Sequence, residues 1–166
     1  MKVDKFTEFL ESYNTPVDIR WINKDNKLIG LFMVDDKIYQ ITCTHRKYNI
    51  WVYKFHFYNK DKNEFSPELT NFNTGTLSVL STIRVGMEYL IKDKDPNGII
   101  FGALDSSESR KKLYWSYSLE IMNKYNYERV TRNVDNKQIF ILYKSINKDT
   151  LFDVVKEIIE DSINEI

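Results

Sequence analysis

The sequence predicts an α+β domain: a mixed, mostly antiparallel sheet of about six to seven strands flanked by helices, with an added helix at the carboxyl end. Three observations carry that expectation. Four apolar runs follow one another between residues 17 and 58, separated by polar breaks too short for anything but hairpins. From Leu77 onward the hydrophobic period switches between about 3.6 and 2, giving helix, strand, helix and a strand hairpin. Eleven tyrosines and ten phenylalanines against five glycines and three prolines describe a packed chain rather than a disordered one.

Taken in order, Phe6, Phe9, Leu10 and Tyr13 share one face of a short helix that ends before Asn14-Thr15-Pro16. The runs Val17 to Ile22, Leu28 to Val34, Ile38 to Thr44 and Ile50 to Tyr58 read as strands. In the fourth, Trp51, Tyr53, Phe55 and Phe57 alternate with Ile50, Val52, Lys54, His56 and Tyr58, so the aromatic face is expected to point into the core. A polar loop, Asn59 to Glu64, follows. Leu77, Leu80, Ile83, Met87 and Leu90 then mark a helix capped at Thr74 or Thr76 and stopped by Asp95-Pro96-Asn97-Gly98. Ile99 to Leu104 is a buried strand, and Asp105, Ser106 and Ser107 precede a second helix with Glu108 in its first turn and Leu113, Tyr117 and Ile121 toward the sheet. Glu128 to Arg132 and Gln138 to Lys144 form a hairpin about residues 133–137. Asp149 caps a terminal helix whose stripe of Leu151, Phe152, Val155, Ile158, Ile159 and Ile163 lies opposite an acidic face; that helix either covers the sheet or faces another subunit.

No linker or repeat divides the chain, so a single domain spanning residues 1–166 is expected, in three parts: 1–72, 73–144 and 145–166. Lysine plus arginine equals aspartate plus glutamate at 24 each, which gives no global reason for a nucleic-acid partner. The single cysteine, Cys43, excludes an internal disulfide framework, and no apolar run reaches the roughly 20 residues that span a bilayer. A reducing, cytoplasmic setting without membrane contact is the expectation. His45 and His56 have no metal-ligand spacing with Cys43, and neither a glycine-rich nucleotide loop nor a serine nucleophile elbow is present.

The segment Asp105-Ser106-Ser107-Glu108-Ser109-Arg110-Lys111-Lys112-Leu113-Tyr114, set in the helix, strand, helix and hairpin order of Gly75 to Tyr143, resembles the carboxyl half of the GNAT (GCN5-related N-acetyltransferase) fold, and in particular small GNAT-like proteins encoded by phages. Where such enzymes have asparagine, alanine and a leucine-tyrosine pair along the cofactor's pantetheine arm, this chain has Ser107, Arg110 and Leu113-Tyr114. The resemblance implies acetyl-CoA as cofactor if the protein is an enzyme, Tyr114 as the acid that protonates the departing thiolate, and Asn73, Thr74, Gly75 and Thr76 as the amides facing its pyrophosphate. Arg110, Lys111 and Lys112 are placed to attract the 3′-phosphate.

The family's pyrophosphate loop, glutamine or arginine followed by paired glycines, is replaced by Asn71-Phe72-Asn73-Thr74-Gly75-Thr76, with one glycine and neither long polar residue. Arg84-Val85-Gly86-Met87 falls inside a helix, where its amides are already bonded. Capping explains Asp105 and Ser107 without a ligand, and core packing explains Tyr114 without chemistry. The leading expectation is therefore a GNAT-like protein without acetyl-CoA chemistry or any other cofactor, binding another protein of the virion or the host. An acyl-CoA-dependent N-acyltransferase is the alternative, and a nucleic-acid-binding module a weaker one. The terminal helix is the expected route to any homo-oligomer, and a phage-encoded chain would act in the host cytoplasm or in the virion.

Overall fold

The computed structural model describes residues 16–59, 63–66, 76–104, 108–144 and 148–162. Strands β1 (Arg20–Lys24), β2 (Lys27–Val34), β3 (Lys37–Arg46) and β4 (Ile50–Asn59) form an antiparallel meander, and β5 (Glu64–Ser66) folds back on the end of β4. Then come α1 (Thr76–Lys94), β6 (Gly98–Leu104), α2 (Glu108–Tyr125), the hairpin β7 (Glu128–Val134) and β8 (Lys137–Tyr143), and α3 (Lys148–Ser162). All strands join one mostly antiparallel sheet in the order β1-β2-β3-β4-β6-β8-β7, with β5 beside β4. The expected helix around Phe6 to Tyr13 lies outside the described residues. None of the described helices is long and apolar enough to cross a membrane.

The hairpins are tight because aspartate sits where the backbone must be left-handed. Asp25, Asp35, Asp36 and Asp135 have φ between 50° and 63°, a region their short polar side chains tolerate. Pairing of Val134 with Lys137 reduces the expected loop of residues 133–137 to two residues. β1 starts at Arg20 rather than Val17, whose amide instead donates to Thr82 Oγ1 of α1 at 3.0 Å. The strand β5 begins at Glu64, the last residue of the expected polar loop; three residues are too few to show a period.

Both faces of the sheet carry core. On the first, Trp51, Tyr53 and Phe55 point inward as the alternation of β4 requires, against Ile83, Met87 and Leu90 of α1 and Tyr114 and Ile121 of α2. On the second, α3 lays Leu151, Val155, Ile158 and Ile159 over Ile50, Val52, Ile100, Ile139 and Ile141. Ile50 and Val52 are therefore buried rather than outward. Each such side chain contributes about 1.5–3 kcal/mol by transfer from water. Of the two roles expected for the terminal helix, covering the sheet is the one observed, and its exposed side carries Asp153, Glu157, Glu160 and Asp161.

α1 approaches the sheet closely at Gly86. A Cβ built there would sit 2.6 Å from Ile41 Cδ1 and 2.8 Å from the Tyr53 hydroxyl, which donates to the Ile83 carbonyl at 2.5 Å. At the other end α1 stops in a left-handed Asp95 (φ 45°) whose amide bonds Ile91 O at 3.0 Å, with Pro96 forbidding another turn.

Candidate functional site

Among the described strands the only parallel contact is between β4 and β6, and it is short. Ile50, Trp51 and Val52 pair with Gly98, Ile99 and Ile100, after which β4 continues toward β5 and β6 pairs with β8 alone. The two central strands thus separate toward their carboxyl ends. The junction where they are still joined is held by side chains that close on backbone. Asn49 Nδ2 donates to the carbonyls of Lys94 (3.2 Å) and Asp95 (2.9 Å), while its Oδ1 accepts from Trp51 Nε1 (2.9 Å). Asn97 donates from Nδ2 to Tyr48 O and from its amide to Asn49 O, both at 2.8 Å, and the Tyr127 hydroxyl donates to Pro96 O at 2.6 Å.

Helices α1 and α2 run side by side in the same direction. Arg84 pairs with Glu120 and Glu88 with Lys124, each at 2.9 Å, so later residues of one helix meet later residues of the other. That arrangement puts Thr76, which opens α1, and Arg110, in the first turn of α2, at the same end of the sheet, where the central strands part. Asn73, Thr74, Gly75 and Ser107 lie outside the described residues. Lys111 is paired with Glu108 at 2.7 Å, beside an open depression of about 440 Å³ that also meets Lys112, Trp115 and Gln138.

Tyr114 is packed rather than presented. It is buried, with its ring edge-on to Phe101 (5.3 Å) and Phe140 (5.9 Å). Among the described residues, the phenols of Tyr53 and Tyr117 also interact with it. Burial pushes the Tyr53 phenol well above its ordinary value, with Cys43 and Tyr114 adding to the effect. Burial also pushes Tyr117 up to about 12, against Arg84, whose guanidinium lies 5.8 Å from the ring centre. Burial works against ionisation of Glu88, but hydrogen bonds from Lys124 and Tyr125 and the charge of Arg84 outweigh it and hold the carboxyl below the usual range. At neutral pH Tyr53 and Tyr117 keep their protons, and Glu88 is committed to its ion pair with Lys124.

The buried stripe of α2 is Tyr114, Ser118 and Ile121, with Leu113 and Tyr117 only half buried. Ser118 can be buried because it is satisfied: its Oγ donates to Trp115 O (2.9 Å) and accepts from Arg129 Nη1 (2.7 Å). Arg129 also lies 3.5 Å over the exposed Trp115 ring, anchoring β7 to the helix. Sequence reasoning passed over Arg129 and Asn49, whose partners are far away in the chain.

The histidines lie elsewhere. His45 packs edge-on against Trp51 at 5.0 Å, and no described cluster of histidine, cysteine and carboxylate side chains is arranged to hold a metal. His56 projects from the opposite face of β4 to Tyr53, half buried, with Nδ1 lacking a partner among the described residues. Burial, reinforced by Lys54, holds its pKa down to about 4. The unfolded chain takes up this proton near 6.5, before the folded one does, so the contribution of His56 to stability is intact above that pH and is lost as pH falls toward 4. Replacing His56 with glutamine is expected to flatten the drop in thermal midpoint between pH 6.5 and 4; an unchanged slope would exclude the histidine as its cause. Compared with known proteins, the chain matches no family model, no curated protein and no solved structure.

Proposed function

We propose that this chain is a GNAT-like domain of the small phage-encoded type that works by binding another protein, a virion component or host-takeover factor, and not by acyl transfer. The fold reading is supported by the helix, strand, helix and hairpin order after β4 and by central strands that pair at three positions and then part. The observation that carries the functional reading is the burial of Tyr114 between Phe101 and Phe140, which gives the expected acid a packing role. The sequence Asn71 to Thr76, with its one glycine, points the same way. The alternative, an acyl-CoA-dependent N-acyltransferase, draws on the shared location of the α1 and α2 amino ends where the strands separate.

The two readings part on coenzyme A. A native state that binds it gains about 2.7 kcal/mol at a hundredfold excess over Kd. For a chain of this size that is a rise in thermal midpoint of roughly 5–10 °C. The expected result with excess acetyl-CoA or coenzyme A is no shift. A rise of that size would overturn the reading without coenzyme A and favour the acyltransferase in its place.

A further inference from the structure

Among the described residues, the second face of the sheet is only partly covered. α3 reaches Ile50 and Val52 of β4, and its Glu157, Ile158 and Asp161 border Asn26 and Arg46, but the rest of the same face of β1, β2, β3 and outer β4 has no described helix over it. The register assigns what projects there. Across the strands, Arg20, Leu31, Gln40 and His56 form one row, and Ile22, Ile29, Thr42 and Lys54 the next. Lys24, Lys27 and Thr44 form a third, and Met33 and Ile38 close the other end. Burial confirms the assignment: Leu28, Phe32, Ile41 and Cys43 of the alternate positions are buried, whereas Ile22 is 40% and Met33 56% exposed.

Two properties define this surface. Ile29, Leu31 and Met33 of β2 make an apolar stripe, flanked by Ile22 of β1 and Ile38 of β3, with Gln40 and Thr42 hydrogen-bonded beside it on β3, and the β1–β2 edge is cationic, with Arg20, Lys24 and Lys27 exposed. No aspartate or glutamate projects from it among the described strand residues; Asp25, Asp35 and Asp36 sit in the hairpin turns at its ends. In a chain with equal numbers of positive and negative side chains this is a segregated field, and its counterpart is the acidic outer side of α3. That helix shows how the face is covered: an apolar stripe against the sheet and carboxylates outside.

We infer that the half of this face that no described helix covers docks an acidic amphipathic helix of the partner protein, laid along β2 at the cationic β1–β2 edge. This rests on the reading of the protein as a binding module and names the chemistry of its partner. The apolar stripe of β2 takes the partner's stripe, and Arg20, Lys24 and Lys27 pair with its carboxylates, which sets specificity and association rate. A nucleic acid fits less well: the stripe is aliphatic, and the aromatic side chains on that face of β1 to β4 are Tyr58 and the half-buried His56, too little for base stacking.

The test uses the full chain and a labelled helical peptide built from leucine and glutamate, with glutamine-for-glutamate and lysine-for-glutamate counterparts and a single-stranded oligonucleotide, read by fluorescence anisotropy at low ionic strength. The glutamate peptide is expected to bind best. Arg20→Glu with Lys27→Glu is expected to weaken it about tenfold or more, as paired interfacial charges do. Met33→Asp should weaken it too, while Lys92→Glu with Arg132→Glu, an equal charge change on exposed α1 and β7, leaves it unchanged. The inference is overturned by equal binding of the three peptides, by preference for the oligonucleotide, or by self-association of the chain that the same substitutions abolish, which would make a second copy the occupant. The earlier reading fails on a coenzyme A shift and this one on missing charge dependence, so the two failures are distinct.

Discussion

Replacing Asn49 with alanine is expected to destabilise the fold by about 3 kcal/mol, measured as the loss of unfolding free energy in urea. Two effects add. The indole of Trp51, a ring only 5% exposed, loses the acceptor for its N–H, and an unsatisfied buried donor costs about 1–3 kcal/mol. Asn49 is also left-handed (φ 55°), where alanine meets a penalty of roughly 1–2 kcal/mol that asparagine partly escapes. Asn49→Gly separates them: it accepts the backbone but not the indole, so its loss should be smaller by about 1 kcal/mol. A loss below about 1 kcal/mol for the alanine variant would mean that the junction of β4 and β6 is held by something other than this side chain.

Gly86→Val is the second large effect, a loss of about 3 kcal/mol from overpacking at the helix-sheet contact. The added Cβ meets the Tyr53 hydroxyl, fixed by its bond to Ile83 O, and the more yielding end of Ile41. The milder Gly86→Ala sets the same clash against a gain of about 1 kcal/mol in helix propensity, and is expected to lose about 1 kcal/mol net. Tyr53→Phe removes the fixed oxygen, so in that background Gly86→Ala should become neutral or stabilising. Strict additivity of the two changes would show that the hydroxyl is not the obstacle.

Much of this architecture could be read from the residues because periodicity is a local signal. Trp51, Tyr53 and Phe55 alternate with smaller side chains, and the aromatic set goes inward. The burial of Ile50 and Val52 was not legible, since they share a face with Lys54 and His56 and are covered by a helix a hundred residues away in sequence. On α2 the apolar spacing selects Leu113, Tyr117 and Ile121, whereas the observed stripe includes Ser118, which only a hydrogen bond from β7 makes suitable for burial. The terminal helix was legible as amphipathic, but its choice between sheet and partner depends on what the rest of the chain leaves bare. Of the candidate site, the position of Tyr114 on a helix was readable. Its enclosure by Phe101 and Phe140, drawn from two separate strands, was not.

Cys43 sits on β3 opposite Tyr53, fully enclosed, and burial raises its thiol well above the ordinary range. As the sole cysteine of the chain, it makes alkylation a one-to-one clock of structural opening: a reagent can reach the sulfur only when the layer between α1 and the meander comes apart. The rate of that alkylation measures how often the first core layer breathes, without any substitution in the chain.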